Sequence, residues 1–543
     1  MSHPIGIDLG TTYSAIAKWV SKKAFTGSEA YHIPSENSNT LPSKVFIEPD
    51  EETGKVDFVF GKTAMAKGTN IPDQYITTVK RNMDDASYRY SILGNEYSPI
   101  DISAQILKHL LFIAEGVEGP TTYVPAGIVV SVPYYFKQHQ NINTKEAALS
   151  AIKASYRNRQ LAGKVEDLFL EIIAEPIAAG LDYAFNRDVW NSAENVLVFD
   201  LGGGTFDVTI FKLVQNDKSI QFKVLAVSGD DRLGGEDFDQ SFFHWVCDHE
   251  NIDLDTLDDK TRRRALKEIQ PKITEAKHTL SVIKRTDLTI ANAIGARHIE
   301  IDPVKRKDFE ACISGKQGLK KDYIGHIEFL LEKVLGKANF EASDIDCVLA
   351  VGGSSQIPVI KDLLSDTFGQ SKLKDAGDIN LAVAKGATIY AAYLLDERLA
   401  KNNQPRKKYL DKWDKITIEM VTPHQLGIYL KGRFYTILSD NNLTPCARTE
   451  FFYPTRLSDD GQCAILDKIE VLQGEPSEYS KVGEIDLENI YTHGRDLKDI
   501  TIQITFTAKN SSIIHVSILV EKGQMDQSNF IKEAELKLGE SSY

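Results

Sequence analysis

The alternation of apolar and polar residues changes character near residue 396. Before that point, short apolar runs of strand length alternate with longer segments whose apolar residues recur at helical spacing, and this predicts an α/β fold. Strands are expected at 5–19, which doubles back as a hairpin, at 42–46, 56–60 and 127–132, in a second hairpin at 195–211, and at 347–351. Helices are expected over 102–117, with Ile106, Leu110, Ile113 and Val117 facing inward, over 144–156, from Glu175-Pro176 onward, and over 261–283, 320–335 and 381–395. A polar run at 397–415 then reads as a linker. Beyond it a two-residue alternation takes over, in Ile416, Ile418 and Met420, in Ile500 to Phe506, and in Ile514 to Val520. Turn residues separate these runs, and they predict an antiparallel β-sandwich over 416–543.

Composition bounds what such a chain can do. Its 543 residues exceed one ordinary core, so two or more domains are expected. The 63 Lys and Arg against 77 Asp and Glu leave a net charge of −14, which disfavours nucleic acid or an anionic membrane as partner. No apolar run approaches the ~20 residues of a membrane span. Met1 to Pro4 lead directly into a strand, so no signal peptide is expected. Five cysteines without a C-x-x-C pair suit a reducing, cytoplasmic compartment and no zinc site.

The candidate chemistry lies in the two hairpins. The second ends its first strand in Asp200 and turns through Gly202, Gly203 and Gly204, leaving backbone amides open to an anion and an acid nearby for its cation. The first repeats the design with Asp8, Gly10, Thr11 and Thr12. A third piece runs from a strand through Gly352, Gly353 and Ser354 to Pro358, at the start of a helix. Together they describe a cleft between two similar halves. The commoner nucleotide loops are absent: the Walker glycine falls on Val56, and Asp207 breaks G-x-G-x-x-G. By residue type alone, Lys80-Arg81 reads as a solvated basic pair and Glu175 as a helix cap, with a cleft acid as the alternative for Glu175.

IGIDLGTTYS at Ile5, VFDLGGGTFDVTI at Val198, LGGEDFD at Leu233, AVGGSSQIP at Ala350 and VLQGE at Val471 resemble the seventy-kilodalton heat-shock chaperone family (DnaK-type) over nearly the whole chain. The resemblance implies an actin-like ATPase domain over 1–396, its two lobes built on a duplicated ribonuclease-H-like core. A sandwich that grips extended apolar polypeptide should follow it. ATP or ADP with Mg²⁺ is the implied ligand, and the function implied is ATP-driven assistance of protein folding by a monomer. By match to the family's motifs, Asp8 and Asp200 hold the magnesium through water, and Lys80, Glu175, Asp200 and Thr205 carry catalysis. Gly10, Thr11, Thr12 and Tyr13 form the first phosphate loop, and Gly202, Gly203, Gly204 and Thr205 the second. Gly234, Gly235, Glu236, Lys277, His278, Ser281, Gly352, Gly353, Ser354 and Gln356 line the nucleoside.

The departures are also informative. Arginines that flank the adenine in the family become His278 and Gln356, and a nucleoside-contacting glutamate becomes Thr274, so weaker nucleotide binding is expected. Met420 replaces the linker aspartate and Glu171 an arginine, two positions that serve interdomain coupling and J-domain docking; a J-domain co-chaperone and a nucleotide-exchange factor are partners whose docking is expected to be altered. The family's helical lid does not fit in 529–538, so rapid peptide exchange is expected. Ile428, Leu430 and Phe451 are groove candidates, with ordinary sandwich core as the alternative. A regulatory or scaffolding member that keeps ATP as a structural ligand is the second reading, and a small-molecule kinase on the same core the third.

Overall fold

The computed structural model describes residues 2–538 except 23–24, 51–53, 69, 86, 120–121, 160, 162, 188–191, 316–320, 375–377, 379, 402–408, 431, 465–467, 476–477, 486–489, 492–495, 510–513 and 523–529. Each expected hairpin seeds a sheet, and the two sheets share one strand order. In the first, β1 (Pro4–Asp8), β2 (Tyr13–Lys22) and β3 (Phe25–Ala30) are antiparallel, while β4 (Gly127–Val132) and β5 (Phe169–Ala174) extend it in parallel beyond β1. In the second, β6 (Ser192–Leu201), β7 (Phe206–Gln215) and β8 (Ser219–Asp230) are antiparallel. There β9 (Cys347–Val351) and β10 (Leu373–Lys374) continue in parallel beyond β6. Three antiparallel strands and two parallel ones thus recur, and the duplication read from the hairpins extends to whole sheets.

The helices are α1 (Pro99–Glu118), α2 (Gln138–Tyr156), α3 (Glu175–Phe185), α4 (Gly235–His249), α5 (Asp259–Val282), α6 (Tyr323–Ala338), α7 (Pro358–Phe368) and α8 (Ala382–Lys401), alongside shorter pieces. Ser98 caps α1 by accepting from the Asp101 amide, with Pro99 in the first turn, where its missing N–H costs nothing. Ile106 and Leu110 face inward as expected. Val117 does not: it is 55% exposed, because Ala114 and Glu115 hold the inward positions of the last turn. The small residues of α3 and α8 let these two helices pack between the sheets, where Ala178, Leu181, Ala387 and Ala391 share one core with Val129, Ile173, Val198 and Phe222.

Two expectations at the end of this unit are corrected. The alternating run at 416–420 forms a strand, β11 (Lys415–Glu419), but it pairs in parallel with β8 and closes the second sheet instead of opening the sandwich. Alternation identifies a strand, not the sheet it joins. The linker is anchored as well. The Asp396 carboxylate accepts from the amides of Tyr409 (2.9 Å) and Leu410 (3.2 Å), and Leu410 and Trp413 are buried, Trp413 edge-on to Phe185. The basic run of the expected linker, 406–408, lies outside the described residues.

The sandwich comprises β12 (Leu426–Leu430), β13 (Arg433–Leu438), β14 (Cys446–Phe452), β15 (Ile469–Glu475), β16 (Glu478–Ile485), β17 (Ile500–Ala508), β18 (Ile514–Lys522) and β19 (Phe530–Leu538). Its sheets run β13-β12-β15-β16 and β14-β17-β18-β19 around Ile428, Val471, Ile504, Phe506 and Val516. It is docked on the first unit. The Tyr134 hydroxyl donates to the Val421 carbonyl (3.0 Å) and accepts from its amide (2.9 Å), the Gln138 amide donates to Gln473 (2.8 Å), and Lys337 pairs with Asp440 (2.6 Å).

Candidate functional site

β1 ends in Asp8, and β6 carries Asp200 one residue from its end, so both hairpins deliver an acid to the gap between the sheets. The tips meet closely. A Cβ on Gly203 would collide with the Thr12 side chain and one on Gly204 with Thr11, which is why the second tip is glycine. α3 starts directly after β5 and so places Glu175 at the cleft. A single helical turn at Lys80–Asn82 presents Lys80 from the other side, and its ammonium meets the Glu175 carboxylate at 2.7 Å with both residues buried. Neither is the solvated pair or plain cap that residue type alone suggested.

The cleft holds more negative charge than it can neutralise. Ser131 donates to Asp8 at 2.9 Å, yet burial and the nearby Glu175 raise the Asp8 pKa to about 7. Burial, then Glu175, Asp207 and Asp8, raise Asp200 well above the ordinary carboxylate range, against the pull of Lys80. Burial opposes the Lys80 charge, but Glu175 and Asp8 outweigh it and raise its pKa. Asp8 and Asp200 therefore feel each other across one crevice. Four acids around one ammonium fit a dication arriving with phosphate. Among the described residues, no three His, Cys, Asp or Glu converge as direct metal ligands, and the donor set suits a hydrated Mg²⁺.

The nucleoside-side residues divide. Gly234 packs on the backbone of Gly203, and Lys277 is buried between Asp239 (2.9 Å) and the Gly235 carbonyl (2.9 Å), beside Ser354. Ser281 instead donates to the Lys277 carbonyl (2.9 Å), Gln356 bonds Ser355 (3.2 Å), and His278 and Tyr13 are exposed. Glu236 is engaged across the cleft by Lys44 (3.4 Å) and Arg81 (3.7 Å).

Four functional residues escaped the sequence reading. Asp207 is buried opposite Asp200, accepts from the Tyr135 amide (2.8 Å), and has its pKa raised to about 7 by burial and Glu175. It lies on a strand covered on both faces, where alternation carries no signal. Ser131 and Asp239 act by contacts distant in sequence. Arg81 spans the lobes, donating to the Gly204 carbonyl (3.1 Å) and pairing with Asp237 (2.5 Å). Arg81→Ala is expected to speed nucleotide release by about tenfold, the worth of one partly buried charged hydrogen bond, in stopped-flow displacement.

The three groove candidates do not share a face. Ile428 is fully buried in the sandwich core and Leu430 partly so, both on β12, whereas Phe451 is 56% exposed on β14 of the other sheet. Ile428 is thus a core residue, the alternative held open for it.

Two lobes of like topology around an acid-rich cleft, with a β-sandwich docked on them, define a two-lobed phosphate-binding domain coupled to a second module. The family model described as "Hsp70 protein" matches residues 4–541. "Chaperone protein DnaK" of Thermosipho melanesiensis is 33% identical over 526 residues, covering 94% of this chain and 77% of that relative. The chain belongs to the Hsp70 family. It is an ATP-dependent chaperone and an ATPase.

Proposed function

We propose that the two lobes form an actin-like domain with a duplicated ribonuclease-H-like core, and that water attacks the ATP γ-phosphate in line in their cleft. The buried Lys80–Glu175 pair carries this reading. Lys80 neutralises charge building on the phosphate, Glu175 orients the water, and the amides of 10–13 and 202–205 hold the phosphates in place. Mg²⁺, held through water by Asp8 and Asp200, would supply the remaining neutralisation. Binding Mg·ATP at pH 7 should expel at least about one proton from the cleft, because Asp8 and Asp207 are poised at about 7 and Asp200 is raised well above the ordinary carboxylate range, and a dication favours the charged form of each. Calorimetry in buffers of different ionisation enthalpy reads that number.

The adenine side binds weakly because His278 and Gln356 offer no guanidinium to stack. Restoring arginine at both should tighten ADP binding by about fivefold or more, at ~0.5–2 kcal/mol per cation–π contact. Titration calorimetry checks this. The sandwich, from β12 onward, binds extended apolar polypeptide, and the docked contacts pass the nucleotide state to it. A J-domain protein and an exchange factor act on it through altered positions, among them Glu171. The five cysteines are all free, in keeping with a cytoplasmic setting. The test is whether ATP lowers affinity for a fluorescent apolar peptide; equal affinity with and without ATP would count against coupling.

A further inference from the structure

The docking contact contains a titratable ring in an unusual place. His424 lies in the turn before β12 and is 4% exposed; its Nε2 donates to the Tyr135 carbonyl at 2.8 Å, and its ring centroid stands 4.3 Å from that of Tyr135. The amide of the same Tyr135 donates to Asp207 in the cleft at 2.8 Å. One residue is therefore held from one side by a cleft acid and from the other by the sandwich. We propose that His424 is a proton-sensitive latch that ties sandwich docking to the position of Asp207, closed while the imidazole is neutral and open once it is protonated.

With Nε2–H committed to the Tyr135 carbonyl, a second proton must enter at Nδ1 inside the buried contact. The groups facing the ring are Tyr135 and Lys137 at the start of α2, Lys337 near the end of α6, and Asp440 after β13. Burial disfavours the cation most. The Tyr135 carbonyl offsets part of this, Lys137 and Lys337 add repulsion, and Asp440 is already paired with Lys337. The balance lowers the pKa from 6.5 to about 4. Undocking returns the ring to water and to its ordinary value. A base lowered in the docked state supports docking above the free value and loses that support as pH falls from 6.5 toward 4. From about pH 7.5 to 5.5 the docked-to-undocked ratio should fall about tenfold.

Single-molecule energy transfer on the full chain tests this, with dyes on Phe112→Cys and Tyr453→Cys after Cys446 and Cys463 are changed to Ser. The wild-type ratio should drop about tenfold over that range, and His424→Leu and His424→Gln should each change less than about twofold. If the Leu variant fails to fold, Gln carries the comparison, because its amide can still donate to Tyr135. Equal losses in wild type and variants, or no loss in wild type, would overturn the latch. The link to Asp207 is read from the ATP turnover pH profile: both proteins lose turnover as the cleft acids Asp8 and Asp207 take up protons, but wild type should fall more steeply on the acid side than His424→Gln, and superimposable profiles would overturn that link.

Discussion

Lys80→Ala should lower ATP turnover by roughly two to three orders of magnitude, the usual cost of removing one preorganised group that stabilises transition-state charge. Single-turnover hydrolysis, with folding checked by circular dichroism, measures it. The same change strands Glu175, buried beside Asp8 and Asp200, without its cation. Breaking a buried pair from one side costs about 3–5 kcal/mol. Lys80→Ala with Glu175→Gln should therefore be more stable than Lys80→Ala alone while remaining as inactive. A double variant less stable than either single change would mean that the pair is not coupled as its geometry requires.

Trp413→Ala should cost about 3–5 kcal/mol, the range for an aromatic lost from a packed core. Trp413 is 1% exposed, edge-on to Phe185, and it secures the run 409–413 that leads into β11. Its indole N–H has no hydrogen-bond partner among the described residues, so Trp413→Phe removes packing volume but no hydrogen bond to them and should cost under about 1.5 kcal/mol. Urea denaturation of the two variants separates these values. The Ala variant should also be cut faster by protease between 409 and 414, because β11 loses its anchor. Equal protection of the two variants would show that β11 holds without Trp413.

What the sequence disclosed follows from how local each signal is. Both hairpins, the helix starting at Glu175, and the Gly-rich turns were legible because turn chemistry and periodicity are written in adjacent residues. Lys80 and Glu175 could not be paired that way: they lie 95 positions apart, and each alone looks like an ordinary surface group. Asp207 was hidden for a different reason, since a strand covered on both faces gives an acid no distinctive spacing. The misplacement of 416–420 shows the same limit, for Ile416 and Ile418 would alternate identically in either sheet, and only the parallel register with Ile220 and Phe222 assigns them to the second. His424 lies among residues typical of a turn, and its importance comes from Tyr135, 289 positions away.

The most direct test is calorimetric titration of ATP with and without Mg²⁺ on the wild-type chain and on Asp8→Asn and Asp200→Asn. One site per chain is expected, tightened by Mg²⁺ in the wild type, with that gain lost in both variants because each removes one of the two opposed acids. A Mg²⁺-dependent gain that survives in either variant would contradict a single metal–nucleotide cleft shared by the two hairpins.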